Sequence, residues 1–211
     1  DSGKVLTSYL PTTKRVRFTD FRNKCYIAHG QDGILMFDGD KIQEMPSPAG
    51  SIIATYDNRL ILGGIKGDPL VIYFSERGDG RTWNALNYIV LDGGSEEKIT
   101  ALIPLQGKLF IFTNHSIYSL LGTMEDFSVS KEVEGVGAVS REAIQVLGYN
   151  FYFMTENGKI YDYDGGTYPQ EISYPISHYL ESTFADSAFQ NVVTTQYKNS
   201  VWFTLDNTYI P

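Results

Sequence analysis

One hairpin plan recurs five times along the 211 residues, and it restricts the chain to a small set of all-β folds. The five segments are "RNKCYIAHGQDGILMF" (22–37), "DNRLILGGIKGDPLVIYF" (57–74), "QGKLFIFTNHSIYSLLG" (106–122), "GYNFYFMTENGKIYDYD" (148–164) and "YKNSVWFTLDNTYIP" (197–211). Each opens on a small polar turn, often Asn or Gly next to a basic residue. An apolar strand follows, then a turn, then a second strand. The first strands begin at Cys25, Leu60, Leu109, Phe151 and Val201, and the second at Ile34, Leu70, Ile117, Ile160 and Tyr209. The pairs lie 9, 10, 8, 9 and 8 residues apart, as a hairpin demands. Asp32-Gly33 and Asn157-Gly158 have the composition of primed hairpin turns, whose central residues take positive φ.

Another strand-like run precedes each pair: Val16-Arg17-Phe18, Ile52 to Tyr56, Ile99 to Leu105, Ala143 to Leu147, and Val192 to Thr195. Some units show a fourth, as at Tyr88-Ile89-Val90-Leu91 and Phe127-Ser128-Val129. The unit is then an antiparallel meander of three or four strands, recurring after 35, 49, 42 and 50 residues. Repeats of that size describe the blades of a β-propeller. A β-sandwich with irregular strand lengths is the competing architecture, and the even spacing within units disfavours it. The blade-like units cover about 14–46, 51–91, 98–133, 142–173 and 190–211, within one domain over 1–211. The fifth breaks off inside a strand pattern at Pro211, so further chain or a partner is expected to close the ring, because closure removes exposed sheet edges.

"PISHYLESTFADSAF" (175–189) departs from the strand pattern. Ile176, Leu180 and Phe184 stand four apart and Pro175 suits a helix start, which predicts a short amphipathic helix near 175–186. An aromatic share of 14% with 20 Gly agrees with strands and tight turns elsewhere. No run approaches the roughly 18 apolar residues of a membrane-spanning helix, so no membrane span is expected. The single Cys25 excludes an internal disulfide and a multi-cysteine zinc site, and its apolar setting reads as a structural thiol.

Net charge is −8 but unevenly spread. Lys14, Arg15, Arg17, Arg22 and Lys24 crowd one stretch with Asp20 the single acid among them. That stretch is a candidate partner contact, although a solvated strand edge is the commoner use of such charge. The acidic remainder argues against coating by nucleic acid, whose affinity comes largely from Lys and Arg contacts to phosphate. His29, His115 and His178 fall in separate units and show no metal-ligand spacing. Asp162-Tyr163-Asp164 offers two carboxylates on one strand face, whereas calcium takes roughly six to eight oxygens. No nucleophile elbow or phosphate-binding loop is present. Neither a catalytic residue, a metal site nor a cofactor is expected.

"SERGDGRTW" (75–83) follows a strongly apolar strand. It resembles the aspartate box of sialidase-like propellers, Ser-x-Asp-x-Gly-x-Thr-Trp. It departs from that pattern in two ways: Asp79 and Gly80 are adjacent, and three residues separate Ser75 from Asp79. A sialidase also needs convergent arginines, a tyrosine–glutamate pair and an acid/base aspartate. Seven arginines are scattered here and no tyrosine is marked out. Ser75, Asp79, Gly80 and Trp83 are therefore read as a structural turn.

The motifs in series carry a closer resemblance. "VIYFSERGDGRTWNALNYIVLDGG" is followed by "ITALIPLQGKLFIFTNHSIYSLLG", then by "EGVGAVSREAIQVLGYNFYFMTENGKIYDYDGGTYPQEIS" and "PISHYLES". This order resembles the propeller proteins of tailed-bacteriophage virions, of the tail-hub, packaged-DNA-stabilisation or nozzle type, over about residues 58–182. The resemblance implies a non-enzymatic virion component without cofactor, assembled in the host cytoplasm. Its implied partners are copies of itself in a ring, commonly six, with portal, adaptor or tail proteins and DNA passing unread through a channel. An acidic lumen would let DNA slide. The alternative is a carbohydrate-binding or sialidase-like propeller acting on host-surface glycans, with aromatics such as Trp83 and Trp202 stacking on sugars. A surface scaffold with protein partners alone is a third reading.

Overall fold

The computed structural model describes residues 15–122, 126–184 and 186–205. Strands β1 (Arg17–Phe21), β2 (Lys24–Ala28), β3 (Leu35–Phe37) and β4 (Ile42–Glu44) form the first sheet. The second holds β5 (Gly50–Tyr56), β6 (Arg59–Ile65), β7 (Val71–Ser75) and β8 (Trp83–Val90). The third holds β9 (Ile99–Leu105), β10 (Lys108–Thr113), β11 (Ser116–Leu121) and β12 (Ser128–Glu134). The fourth holds β13 (Ile144–Leu147), β14 (Asn150–Met154), β15 (Ile160–Tyr163) and β16 (Gln170–Glu171), and β17 (Val193–Tyr197) pairs with β18 (Ser200–Thr204). Spatial order follows chain order in every sheet. The chain is all-β, and these four-stranded antiparallel meanders are β-propeller blades. The described residues form two compact units, divided between Pro104 and Leu105.

The hairpin joining the first two strands of a blade is set by a two-residue turn. Phe21 pairs with Lys24 and Tyr56 with Arg59, leaving Arg22-Asn23 and Asp57-Asn58 as the loops. Their φ values are 52° and 58°, and 45° and 56°. Gln106-Gly107 repeats the arrangement at 53° and 75°. Two positive φ values in succession give the loop a twist that matches the flanking strands, and Asn, Asp and Gly tolerate it best. The sequence placed primed turns at Asp32-Gly33 and Asn157-Gly158 instead. Of those four residues only Gly158 takes positive φ, at 79°. Gly33 serves a different need, since a Cβ there would stand 2.1 Å from the Met45 carbonyl oxygen.

In the first unit, Phe21, Tyr26, Ile34 and Met36 of the first blade pack with Ile53, Leu60 and Leu62 of the second. The second unit is organised around rings. Phe110 and Phe112 lie two apart on β10, and Phe151 and Phe153 two apart on β14, so each pair shares a strand face. Phe151 meets Phe110 edge-on at 4.8 Å and Phe112 at 5.3 Å, with Tyr163 stacked at 6.0 Å. Burying each such ring contributes roughly 1.5–3 kcal/mol, before the edge-to-face term.

A 3-10 turn at Tyr174–Ile176 leads into α1 (Ser177–Thr183), with the one-turn helix α2 at Asp186–Phe189. Of the predicted apolar stripe, Leu180 is buried and Phe184 packs against Val139, Met154 and Phe189. Ile176 does not join them and is 48% exposed. It belongs to the tighter 3-10 turn, so the four-residue spacing that aligns side chains in an α-helix no longer applies to it.

Candidate functional site

The stretch from Ser75 to Trp83 connects β7 to β8, and its geometry follows from a register shift between Tyr73 and Ser75. Ser75 is fully buried, and its Oγ accepts the Leu60 N–H at 2.9 Å where the regular pairing of β6 with β7 has ended at Ile61↔Phe74. The same hydroxyl donates to the Glu76 carbonyl at 3.1 Å. Arg59, also buried, donates from Nη1 to the Ser75 carbonyl at 2.8 Å. Its Nε faces Asp57 Oδ2 at 3.9 Å, an ion pair too long for a hydrogen bond. Arg77 holds the other Asp57 oxygen at 3.1 Å.

Asp79 engages both carboxylate oxygens within its own turn. One oxygen accepts the Arg81 N–H at 2.9 Å and the other the Thr82 hydroxyl at 2.7 Å. Those bonds hold its carboxyl below the ordinary carboxylate range, outweighing its partial burial. Trp83 Nε1 donates to the Gly80 carbonyl at 3.1 Å, and the indole packs against the core of the first two blades. Gly80 presses against both blades, since a Cβ would lie 2.6 Å from Leu60 Cδ1 of the second and 2.7 Å from the Tyr26 hydroxyl of the first. Ser75, Asp79, Gly80 and Trp83 are thus brought together as one closed turn. Strand structure resumes at Trp83, five residues earlier than the apolar run at Tyr88 indicates, because the polar first half of β8 hides the strand.

The basic stretch is partly spent within the fold. Arg17 donates to the Ser51 carbonyl at 3.0 Å and Arg22 to Asn58 Oδ1 at 3.0 Å, while Thr19 and Thr55 share a hydroxyl contact. These contacts join β1 to the second blade. Arg15 is exposed, Lys24 is half-buried, and Lys14 lies outside the described residues. Cys25, also half-buried, has its thiol pushed up by burial and then by Asp20, away from the reactive thiolate.

Asp162 accepts from Asn150 Nδ2 at 2.7 Å. Asp164 Oδ1 takes the Gly166 and Thr167 N–H groups and the Thr167 hydroxyl, an Asx turn that holds its carboxyl low. Among the described residues no group of three or more His, Cys, Asp or Glu is placed to hold a metal ion. No helix among them is long and apolar enough to cross a membrane. His29 is buried, whereas His115 and His178 are exposed in separate places. Trp202, on β18, is exposed as well.

The sequence matches no protein-family model and no curated protein. Among solved structures, the computationally designed Ika4 protein superposes with a TM-score of 0.50 at 11% identity, over 72% of this chain and 92% of that one. BamB from Moraxella catarrhalis gives 0.47 at 11% identity, over 74% and 47%. The β-propeller domain of Vanderwaltozyma polyspora Nup133 gives 0.48 at 14% identity, over 89% and 57%. The chain spans about half the length of the latter two. These likenesses concern the fold alone. The chain is an all-β succession of β-propeller blades.

Proposed function

We propose that this chain is a non-enzymatic structural component of a bacteriophage virion, a tail hub, nozzle or neck ring that helps to form or seal the DNA conduit. The observation that carries the reading is the ordered series of motifs between residues 58 and 182, which falls on consecutive blades from β6 to α1. The use of the arginines supports it. Arg17, Arg22, Arg59, Arg77 and Arg141 all bond to protein groups within the fold. A carboxylate-recognising sugar site would need several of them converging on one ligand. The turn that resembles an aspartate box spends its serine, aspartate and tryptophan on backbone groups of its own and of Leu60.

On this reading the long edge strands β8 and β12 contact neighbouring copies or other virion proteins. The β8 edge carries no charge and exposes Leu86, Tyr88 and Val90, a composition suited to burial against a partner. The test is the assembly state of the full-length protein, by light scattering after size exclusion and by negative-stain microscopy. Closed rings are expected. A strict monomer at the highest attainable concentration would refute the ring, and mass spectrometry of purified particles lacking the protein would refute the virion assignment.

A further inference from the structure

Three turns that are distant in sequence line one cleft in the second unit. Asn114 and His115 come from the β10–β11 turn, Gly135, Val136 and Gly137 from the connection after β12, and Thr155, Glu156, Asn157 and Tyr161 from β14–β15. The cleft has a volume of about 360 Å³, within the range of small-ligand sites. Gly137 is required by the crowding of these turns, because a Cβ there would lie 2.2 Å from the Thr113 carbonyl oxygen.

The polar groups at this cleft are more than turn chemistry uses. Thr155 donates its hydroxyl to Asn157 Oδ1, which fixes the amide and leaves its two N–H donors unused. The exposed His115 ring and the partly exposed Tyr161 also line the cleft. One face of Tyr161 is covered by Phe153, whose ring stacks on it at 5.7 Å and 18°. Glu156 adds a carboxylate, and neither Lys nor Arg lines the cleft.

From this convergence we propose that the cleft binds a neutral pyranose. A sugar ring presents vicinal hydroxyls that both donate and accept, together with an apolar C–H face. The amide of Asn157 and the ring of His115 meet the hydroxyls, and Tyr161 supplies both a hydroxyl and an aromatic surface. With neither Lys nor Arg in its lining, the cleft offers no cation to a sugar carboxylate, so sialosides and uronates are disfavoured. The site is separate from the Ser75–Trp83 turn, and it stands whether or not the protein belongs to a virion.

Saturation-transfer NMR on the full chain tests this, with methyl glycosides of glucose, galactose, mannose and N-acetylglucosamine and a methyl sialoside as the charged probe. Transfer to at least one neutral glycoside and none to the sialoside is expected. Asn157→Ala and Tyr161→Phe should each weaken binding roughly two- to tenfold, the worth of one net hydrogen bond. Tyr161→Phe keeps the stack on Phe153, so a folded variant is available if Asn157→Ala disturbs its turn. Absence of transfer from every neutral sugar, preference for the sialoside, or unchanged affinity in Tyr161→Phe would each overturn the proposal.

Discussion

Replacing Ser75 by alanine removes one oxygen from a site with no solvent access. The Leu60 N–H, also fully buried, then loses its acceptor at 2.9 Å. A buried donor left unsatisfied costs about 1–3 kcal/mol, and the bond from Ser75 to the Glu76 carbonyl adds on the order of 1 kcal/mol. The expected loss is therefore about 2–4 kcal/mol. Urea unfolding followed by tryptophan fluorescence reads it directly. With a slope of about 2 kcal/mol per molar, the midpoint should fall by about 1–2 M at unchanged slope. Arg81→Ala is the control, because the backbone N–H of Arg81 makes its bond to Asp79. That variant should stay within about 0.5 kcal/mol of the parent. A Ser75→Ala midpoint shifted no further than the control would refute the reasoning, since the Leu60 N–H would then have found another acceptor.

Three other outcomes are expected. Phe151→Leu should cost about 2 kcal/mol, measured by thermal unfolding, because it removes the ring that Phe110, Phe112 and Tyr163 all meet; an unchanged melting temperature would contradict the packing. Burial, reinforced by Glu132 and Asp164, pushes the Tyr163 phenol up to about 12. The unfolded phenol loses its proton near pH 10, so stability should fall between about pH 10 and 12 by on the order of 1 kcal/mol per pH unit, and Tyr163→Phe should flatten that fall. Asp79 behaves oppositely: its depressed carboxyl stabilises the fold above roughly pH 4 and ceases to do so as pH falls further, so Asp79→Ala should shallow the acid limb of a stability–pH curve.

Blade spacing was legible in the sequence because it rests on apolar alternation, which burial enforces. Strands β2, β6, β10, β14 and β18 begin within one residue of the apolar starts at Cys25, Leu60, Leu109, Phe151 and Val201. The short outer strands β4 and β16 were not, since Ile42-Gln43-Glu44 and Gln170-Glu171 carry almost no apolar pattern and exist through pairing with their neighbours. Composition also misplaced the primed turns. Asp32-Gly33 looks more permissive than Arg22-Asn23, yet pairing register decides which residues must adopt positive φ. Ser75 carried no sequence signal for its role, because that role depends on a bulge. The cleft at Asn114, Asn157 and Tyr161 was equally hidden, being assembled from turns more than forty residues apart.

The two-residue turns have a kinetic consequence. With Phe21 facing Lys24 and Tyr56 facing Arg59, the first contacts of a blade join residues three apart in the chain, and little loop-closure entropy opposes them. Each blade can therefore start from its own hairpin, before any pairing that spans the chain. Propeller growth then becomes local and repetitive, with relative contact order held down despite the all-β composition. The same locality makes a blade a natural unit of gain or loss, because its turn chemistry travels with its strands.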